Sequence, residues 1–343
     1  MDLLPTEEQQ QIIDTAASFL ASEFPVNHVL TLATGEPRIK RGQLQQIAEL
    51  GWVGIGLPED LDGVGYGLSE EALLFIELGR HLMPPSILGS VLGARVAAIS
   101  GTREYAQAIL DGQKKVALAS ARHTRPAQIA NTVDGEFLVF EADDADLVLV
   151  ADENGSALLE LSSLAVTATD TCIDSTIALS TMNAAAIRSV CYVSADQDNT
   201  FLRGALLTAA MLLGIAEATR DRSVSYAKER EQFGKPIGSF QAIKHYCADM
   251  AVRCESVRAL LYHASITLQN NSAAGLFDTF SVKALAIEAA QSNANTAVQI
   301  HGGMGYTQEM DIHLFVKRAQ VLGTLFGSER YHLKKLLAEP APD

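Results

Sequence analysis

The chain has 343 residues, of which 48% are hydrophobic and 20% charged, an ordinary globular balance with room for two or three cored units. Its formal net charge of −15 repels phosphate backbones, which excludes nucleic-acid binding as a leading function. The longest apolar run, Ala205 to Ala216, is shorter than the roughly 20 residues that cross a bilayer, so no membrane span is predicted. The start, MDLLPTEEQQQ, is acidic and polar and lacks the form of a signal peptide. Cys172, Cys191, Cys247 and Cys254 form no CxxC pair; Cys247 and Cys254, seven apart on a predicted helix, read as ordinary buried thiols. These features predict a reduced, cytoplasmic protein without a structural metal.

The chain opens helically. Thr6 followed by Gln9 is a capping box, and Ile12, Ile13, Ala16, Phe19 and Leu20 recur at helical spacing. QLQQIAELGWVGIGLPEDLDGVGYG reads as a helix running into a glycine-rich loop, after which Ser69 reads as the cap of EEALLFIELGRHL. The period then changes. KVALASAR, EFLVFEA, LVLVAD, ALLEL, TIALST and SVCYVS are short, rich in Val, Leu, Ile and Thr, and punctuated by Asp, Gly and Asn, which predicts a small β unit.

Four long helical segments come next, at about 200–229, 239–269, 276–300 and 310–337. Each carries an apolar stripe, such as Ile312, Phe315, Val316, Ala319, Leu322 and Leu325. Short loops between them predict an antiparallel four-helix bundle. The predicted architecture is α+β and multidomain: a helical domain over 1–114, a β barrel or sandwich over 115–197, and the bundle over 198–343.

Two loops in the bundle gather polar and aromatic groups. In KEREQFGKPIGSFQAIKH, residues 228–245, Arg230, Gln232, Phe233 and Gln241 surround one turn; in QIHGGMGYTQE, Gln299 precedes Gly302 and Gly303 at a helix end. Arginine is a permanently charged multi-donor suited to a diphosphate, and glutamine offers donor and acceptor together. Plainer roles exist for each: a helix C-terminal cation, loop packing, a helix stop. REQFGKPIGSFQAIKHYCADM and QIHGGMGYTQE, in this order, together with TEEQQQIIDTAASFLASE and IAELGWVGIGLPEDLDGVGYG, resemble the signatures of the acyl-CoA dehydrogenase family over nearly the whole chain.

That resemblance implies an FAD enzyme that removes a proton from the α-carbon of an acyl-CoA while the β-carbon gives a hydride to the flavin, which an electron acceptor then reoxidises. It also implies that the Arg-x-x-Phe-Gly turn of one subunit reaches a neighbour's FAD. Arg230 would meet the diphosphate, Phe233 would pack near the adenosine, Gln232 and Gln241 would join that loop's contact with the cofactor, and Gln299 through Gly303 would form a second cradle.

The chain also departs from the family. Where most members carry a catalytic Glu entering the last helix, VLGTLFGSERYHLKKLL has Gly327. Where others place it, early in the first bundle helix, Arg203, Gly204 and Ala205 stand, and Asp198 is about 7.5 Å away along a helix. Glu329 is the remaining weak candidate, turned about 200° from position 327 on a helix and well suited to a plain first-turn acid. His332 and His301 read as surface or interface residues. The flavin-ring segments of the middle domain, Thr-Glu-Pro with Gly-Ser-Asp and Trp-Ile-Thr, are missing from VALASARHTRPAQIANTVDG and from EFLVFEADDADLVLV.

The retained residues act on a neighbour's cofactor and the lost ones act on the chain's own. This pattern resembles the non-catalytic subunit of heteromeric α2β2 acyl-CoA dehydrogenases of bacterial steroid side-chain degradation. It implies a homologous partner subunit bearing the Glu, and a bulky acyl-CoA as substrate. Two alternatives stand beside it: a self-sufficient dehydrogenase or flavin oxidase using Glu329, and a helical scaffold without flavin.

Overall fold

A computed structural model describes residues 5–32, 36, 38–122 and 127–339. Residues 123–126, within the segment compared above with Thr-Glu-Pro, and the first four residues of the chain lie outside the described residues. The chain divides into two compact units, one made of Met1–Thr31, Ala72–Met83 and Leu206–Asp343 and the other of Leu32–Glu71 and Pro84–Ala205.

Helix α1 (Glu7–Glu23) starts with the capping box read from sequence. Thr6 Oγ1 accepts from the Gln9 N–H at 3.2 Å, and Gln9 Oε1 accepts from the Thr6 N–H at 3.0 Å. After α2 (Arg41–Glu49), α3 (Leu68–Arg80) begins one residue before Ser69, so Ser69 does not cap it. Instead Glu70 Oε2 accepts the Gly67 N–H at 3.0 Å, and the Gly67 carbonyl accepts from the Glu71 N–H, closing the first turn earlier. Then come α4 (Ser86–Ile99) and α5 (Arg103–Leu110). Nearly every residue of α4 is buried, so it carries no polar stripe to betray its period.

The second unit is built on a seven-stranded sheet of β1 (Val116–Ala121), β2 (Thr132–Phe140), β3 (Leu147–Ala151), β4 (Gly155–Glu160), β5 (Ala165–Asp170), β6 (Leu179–Arg188) and β7 (Cys191–Ser194). The order is β5-β6-β2-β1-β3-β4-β7, with β1 and β3 parallel and the other neighbours antiparallel. Ala117, Ala119, Val139, Val148, Val150, Leu159 and Met182 belong to one apolar cluster on its inner face. α4 packs against β1, β3, β4 and β7. β5, absent from the sequence reading, lies on the sheet edge with no buried residue. TIALST turns out to straddle the start of β6 rather than to form a strand of its own.

The first unit is helical: α6 (Thr200–Glu229), the hairpin β8 (Glu231–Gln232) and β9 (Lys235–Pro236), α7 (Gln241–Gln269), α8 (Gly275–His301), α9 (Ile312–Leu322) and α10 (Glu329–Leu336). Asn293 of α8 is fully buried and sends its amide to Ala216 O of α6 at 3.2 Å and Met250 O of α7 at 3.1 Å. α3 and α6 touch backbone to backbone. A Cβ on Gly214 would fall 2.0 Å from Ile76 O, and one on Gly79 would fall 2.1 Å from Met211 O. α6 is long and apolar enough to cross a membrane, but 89% of its apolar stretch is buried within the protein, as for a core helix. Cys254 is buried, with burial pushing its thiol up to about 12, whereas Cys247 is only half-buried, so the pair is not equally enclosed. Among the described residues no group of three or more His, Cys, Asp or Glu is arranged to hold a metal.

The last predicted helix is two helices. Phe326 (φ 51°) and Gly327 (φ 101°) take left-handed backbone, and Ser328 then caps α10 by accepting from the Tyr331 N–H at 3.3 Å. The joint between α8 and α10 is polar inside. His332, read above as a surface or interface residue, is fully buried and lies against the Phe280 ring of α8. Its Nε2 is 2.9 Å from Phe326 O; a carbonyl only accepts, so Nε2 carries the proton and the buried Nδ1 has no partner among the described residues. Lys283 of α8, also fully buried, donates to Leu322 O at 3.0 Å. Burial drives the Lys283 amine well below its ordinary value. Burial, with Lys283 second, drives His332 from 6.5 to about 4.

The unfolded chain therefore takes up a proton at His332 before the folded chain does. The stability that His332 contributes is complete above pH 6.5 and is lost as pH falls from there toward 4. Replacing His332 with Leu should remove up to roughly 3 kcal/mol of that acid-driven loss. Urea titrations of both proteins at pH 7 and pH 4.5 check this: parallel losses in the two would show that His332 is not the group involved.

Candidate functional site

α6 ends at Glu229, and the Arg230 N–H still donates to Tyr226 O at 2.8 Å. The chain then reverses in a two-residue hairpin whose strands pair Glu231 with Pro236 and Gln232 with Lys235. A two-residue turn matched to strand twist needs positive φ at both central positions, and here they are Phe233 (φ 55°) and Gly234 (φ 77°). A phenylalanine in that conformation is strained by about 1 kcal/mol or more. It is also 93% exposed, touching only the edge of the Phe240 ring at 6.2 Å, while Lys235 Nζ sits 4.5 Å over the same ring. The hairpin is anchored by the Ile237 N–H, which donates to Arg230 O at 2.8 Å.

Of residues 228–249, only Ile237 is buried. The segment is an ordered arm that leaves its side chains to be covered from outside. Arg230 is exposed, and its guanidinium makes no ion pair or hydrogen bond among the described residues. Gln232 is exposed and turns its amide back to Glu231 O at 2.8 Å, leaving Oε1 to accept. Gln241, exposed, is the first residue of α7.

The second loop is tied to the first. Tyr226, in the last turn of α6, stacks on His301, in the last turn of α8, with ring centroids 4.2 Å apart and planes at 22°. His301 is 5% exposed and its Nδ1 meets Ala297 O at 2.7 Å, so it is a core residue and not a surface one. Burial, the largest cause, lowers its pKa. Gln299 and Gly303 are exposed, and so is Gly302, whose φ of 60° and ψ of −138° suit glycine alone. A Cβ on Gly302 or Gly303 would meet nothing within 4 Å, so the backbone there faces open space. Tyr306, beyond the turn, is 81% exposed; only its place after a glycine-rich turn hinted at it in the sequence. The donor set fits the nucleotide end of FAD: one unpaired planar cation, three amides and an open glycine turn on adjoining helix ends.

Position 327 is a different environment. A Cβ there would lie 2.5 Å from Tyr331 Cδ1 and 2.7 Å from His332 Nε2, on a backbone that side chains rarely adopt. Glu329 opens α10, exposed to solvent, in the place where the helix dipole favours an acid. At the other position open to a base, Arg203 is engaged. Its Nη2 is 2.5 Å from Glu71 Oε2 and 3.3 Å from Gly56 O. Asp198 is engaged too, held by Arg95 at 2.6 and 3.0 Å.

Residues 6–113 match the profile of the acyl-CoA dehydrogenase N-terminal domain, and residues 194–339 that of the acyl-CoA dehydrogenase C-terminal domain. Acyl-CoA dehydrogenase IpdE2 of Mycolicibacterium smegmatis is 32% identical over 339 residues, covering 97% of this chain and 99% of its own. Its counterpart of the same name in Mycobacterium tuberculosis is 30% identical, covering 98% of each chain. Among solved structures, the ChsE4–ChsE5 complex from Mycobacterium tuberculosis shares the fold with a TM-score of 0.86 at 23% identity over the whole of both chains. The chain belongs to the acyl-CoA dehydrogenase family, whose members are FAD-dependent oxidoreductases acting on CH–CH bonds.

Proposed function

We propose that this chain is the non-catalytic subunit of a heteromeric acyl-CoA dehydrogenase, gripping the nucleotide end of an FAD whose ring is held by a homologous partner. The observation that carries the reading is position 327: the space a catalytic Glu would need is filled by Tyr331 and His332, and the backbone is left-handed. The exposed arm supports it from the other side, since Arg230, Gln232, Phe233 and Gln241 face outward beside Gln299, Gly302 and Gly303. FAD, where bound, would supply the hydride-accepting chemistry. This chain's residues bind and orient: Arg230 offsets diphosphate charge, the amides hold hydroxyl and adenine edges, and Phe233 covers the adenosine. The partner would supply the carboxylate and an electron acceptor would take up the electrons, and the unused half of the dimer would leave room for a bulky, steroid-like acyl-CoA. The ChsE4–ChsE5 structure, named as a complex of two proteins, favours such an assembly. A cytoplasmic setting and the three-domain division at about 114 and 197 belong to the same proposal.

Co-expression with a homologous Glu-bearing subunit should give one FAD per pair of chains, read from flavin absorbance against protein concentration. In that complex Arg230→Ala should weaken FAD retention by about 10- to 100-fold, the worth of one charge-assisted hydrogen bond. One FAD per chain in this protein alone, or full retention in Arg230→Ala, would overturn the assignment.

Glu329→Gln in the same complex should leave kcat within about twofold of the parent, because a solvated first-turn acid contributes only the helix-dipole share of stability. Loss of turnover with flavin still bound would make Glu329 the base, and the chain a self-sufficient enzyme.

A further inference from the structure

One concavity belongs to neither loop of the proposed flavin site. Between the β5–β6 edge and the turns at 142–146 and 160–164 lies a groove of about 580 Å³, within the usual range of small-molecule sites. Leu161, Leu164, Val166 and Met182 give it apolar walls, and Leu164 and Met182 continue the inner cluster of the sheet, so the groove is the mouth of that core. β5, unpartnered on its outer edge, leaves it open, with Val166 62% exposed.

The rim is acidic, and most of its acids are already satisfied. Asp146 holds Arg41 at 3.1 Å and the Lys115 N–H at 2.9 Å. Glu160 accepts from Tyr105 Oη at 2.7 Å, an interaction that pushes the phenol up to about 12, and Lys114 lies 5.5 Å over the Tyr105 ring. The other polar groups facing the groove make no hydrogen bond or ion pair among the described residues: the Asp143 carboxylate, the Ser162, Thr169 and Ser180 hydroxyls, and the Lys114 amine, which is drawn aside over the Tyr105 ring. The Asp143 carboxylate is exposed, whereas the Ser180 hydroxyl belongs to a residue only 7% exposed. The Ser180 hydroxyl opens onto the groove, so a ligand lying there can take up its free hydrogen-bonding capacity.

We infer that this groove binds a small organic cation with an apolar body, an alkylammonium in the simplest case. The alkyl part lies against Leu161, Leu164, Val166 and Met182, and the ammonium donates to Asp143 and Ser180. An ammonium has three donors and no acceptor, which matches a free carboxylate and a free hydroxyl oxygen. The same rim repels polyanions such as CoA or FAD, so the inference goes beyond the flavin reading and stands or falls without it.

The test uses the full chain, alone and with its partner, titrated with n-hexylammonium, hexanoate and hexan-1-ol and followed by calorimetry and by amide shifts of β5 and β6. Hexylammonium should saturate in the millimolar range, at least about tenfold tighter than either control. Asp143→Asn should remove about tenfold of that preference. Val166→Trp, at an exposed edge position, should fill the groove and abolish binding, with thermal midpoints showing that both variants stay folded. Equal binding of hexanoate, no saturation across the millimolar range, or an Asp143→Asn affinity equal to the parent's would each overturn the inference.

Discussion

The Tyr226–His301 ring stack joins the last turn of α6 to the last turn of α8, two helices that reach this point from far apart in the chain. Each of those turns leads directly into a loop that carries the candidate cofactor contacts. If the rings separated, the hairpin after α6 and the glycine turn after α8 would lose their common reference, and Arg230 and Gly302 would no longer present to one ligand. His301 is 5% exposed in the stack, and that burial lowers its pKa. The relative placing of the two candidate loops thus depends on a small ring contact at the ends of α6 and α8.

The same helical unit treats two of its surfaces in opposite ways. Around residues 228–249 it leaves a well-formed arm almost bare, with a strained phenylalanine at the tip. Around residues 323–332 it closes tightly, with Lys283 and His332 buried in the joint and burial lowering the pKa of both. A protein that worked alone would gain from the reverse arrangement, an open reactive position and a covered arm. The pairing of a closed interior with an open arm is the physical content of the proposed division of labour between subunits.

Much of this was legible from residue pattern. Thr6 and Gln9 announced the first cap, and short β-branched runs located six of the seven strands of the large sheet. The lengths of α6, α7 and α8 came within two residues because their stripes are continuous and their ends carry Gly, Pro or Asn. The break before α10 was hidden because Leu322, Leu325 and Phe326 sustain a helical period straight through it. β5 was hidden because both its faces meet solvent, and α4 because both of its faces are buried. Motif resemblance singled out Arg230, Phe233 and Gly302, which the structure leaves exposed, but pattern misjudged the two histidines. Histidine carries no reliable burial signal in sequence, and His301 and His332 became core residues only through partners supplied by other helices.

Gly327 carries a consequence for how the chain can change. A single base substitution turns two of the four glycine codons into glutamate codons, so from those two codons a glutamate at 327 is one mutation away. That step alone would not give an open carboxylate, because Gly327 holds a left-handed backbone and Tyr331 and His332 occupy the space a side chain would need. A glutamate there would require the neighbours to retreat first. Position 327 thus resists a one-residue change in a way that an open surface position would not.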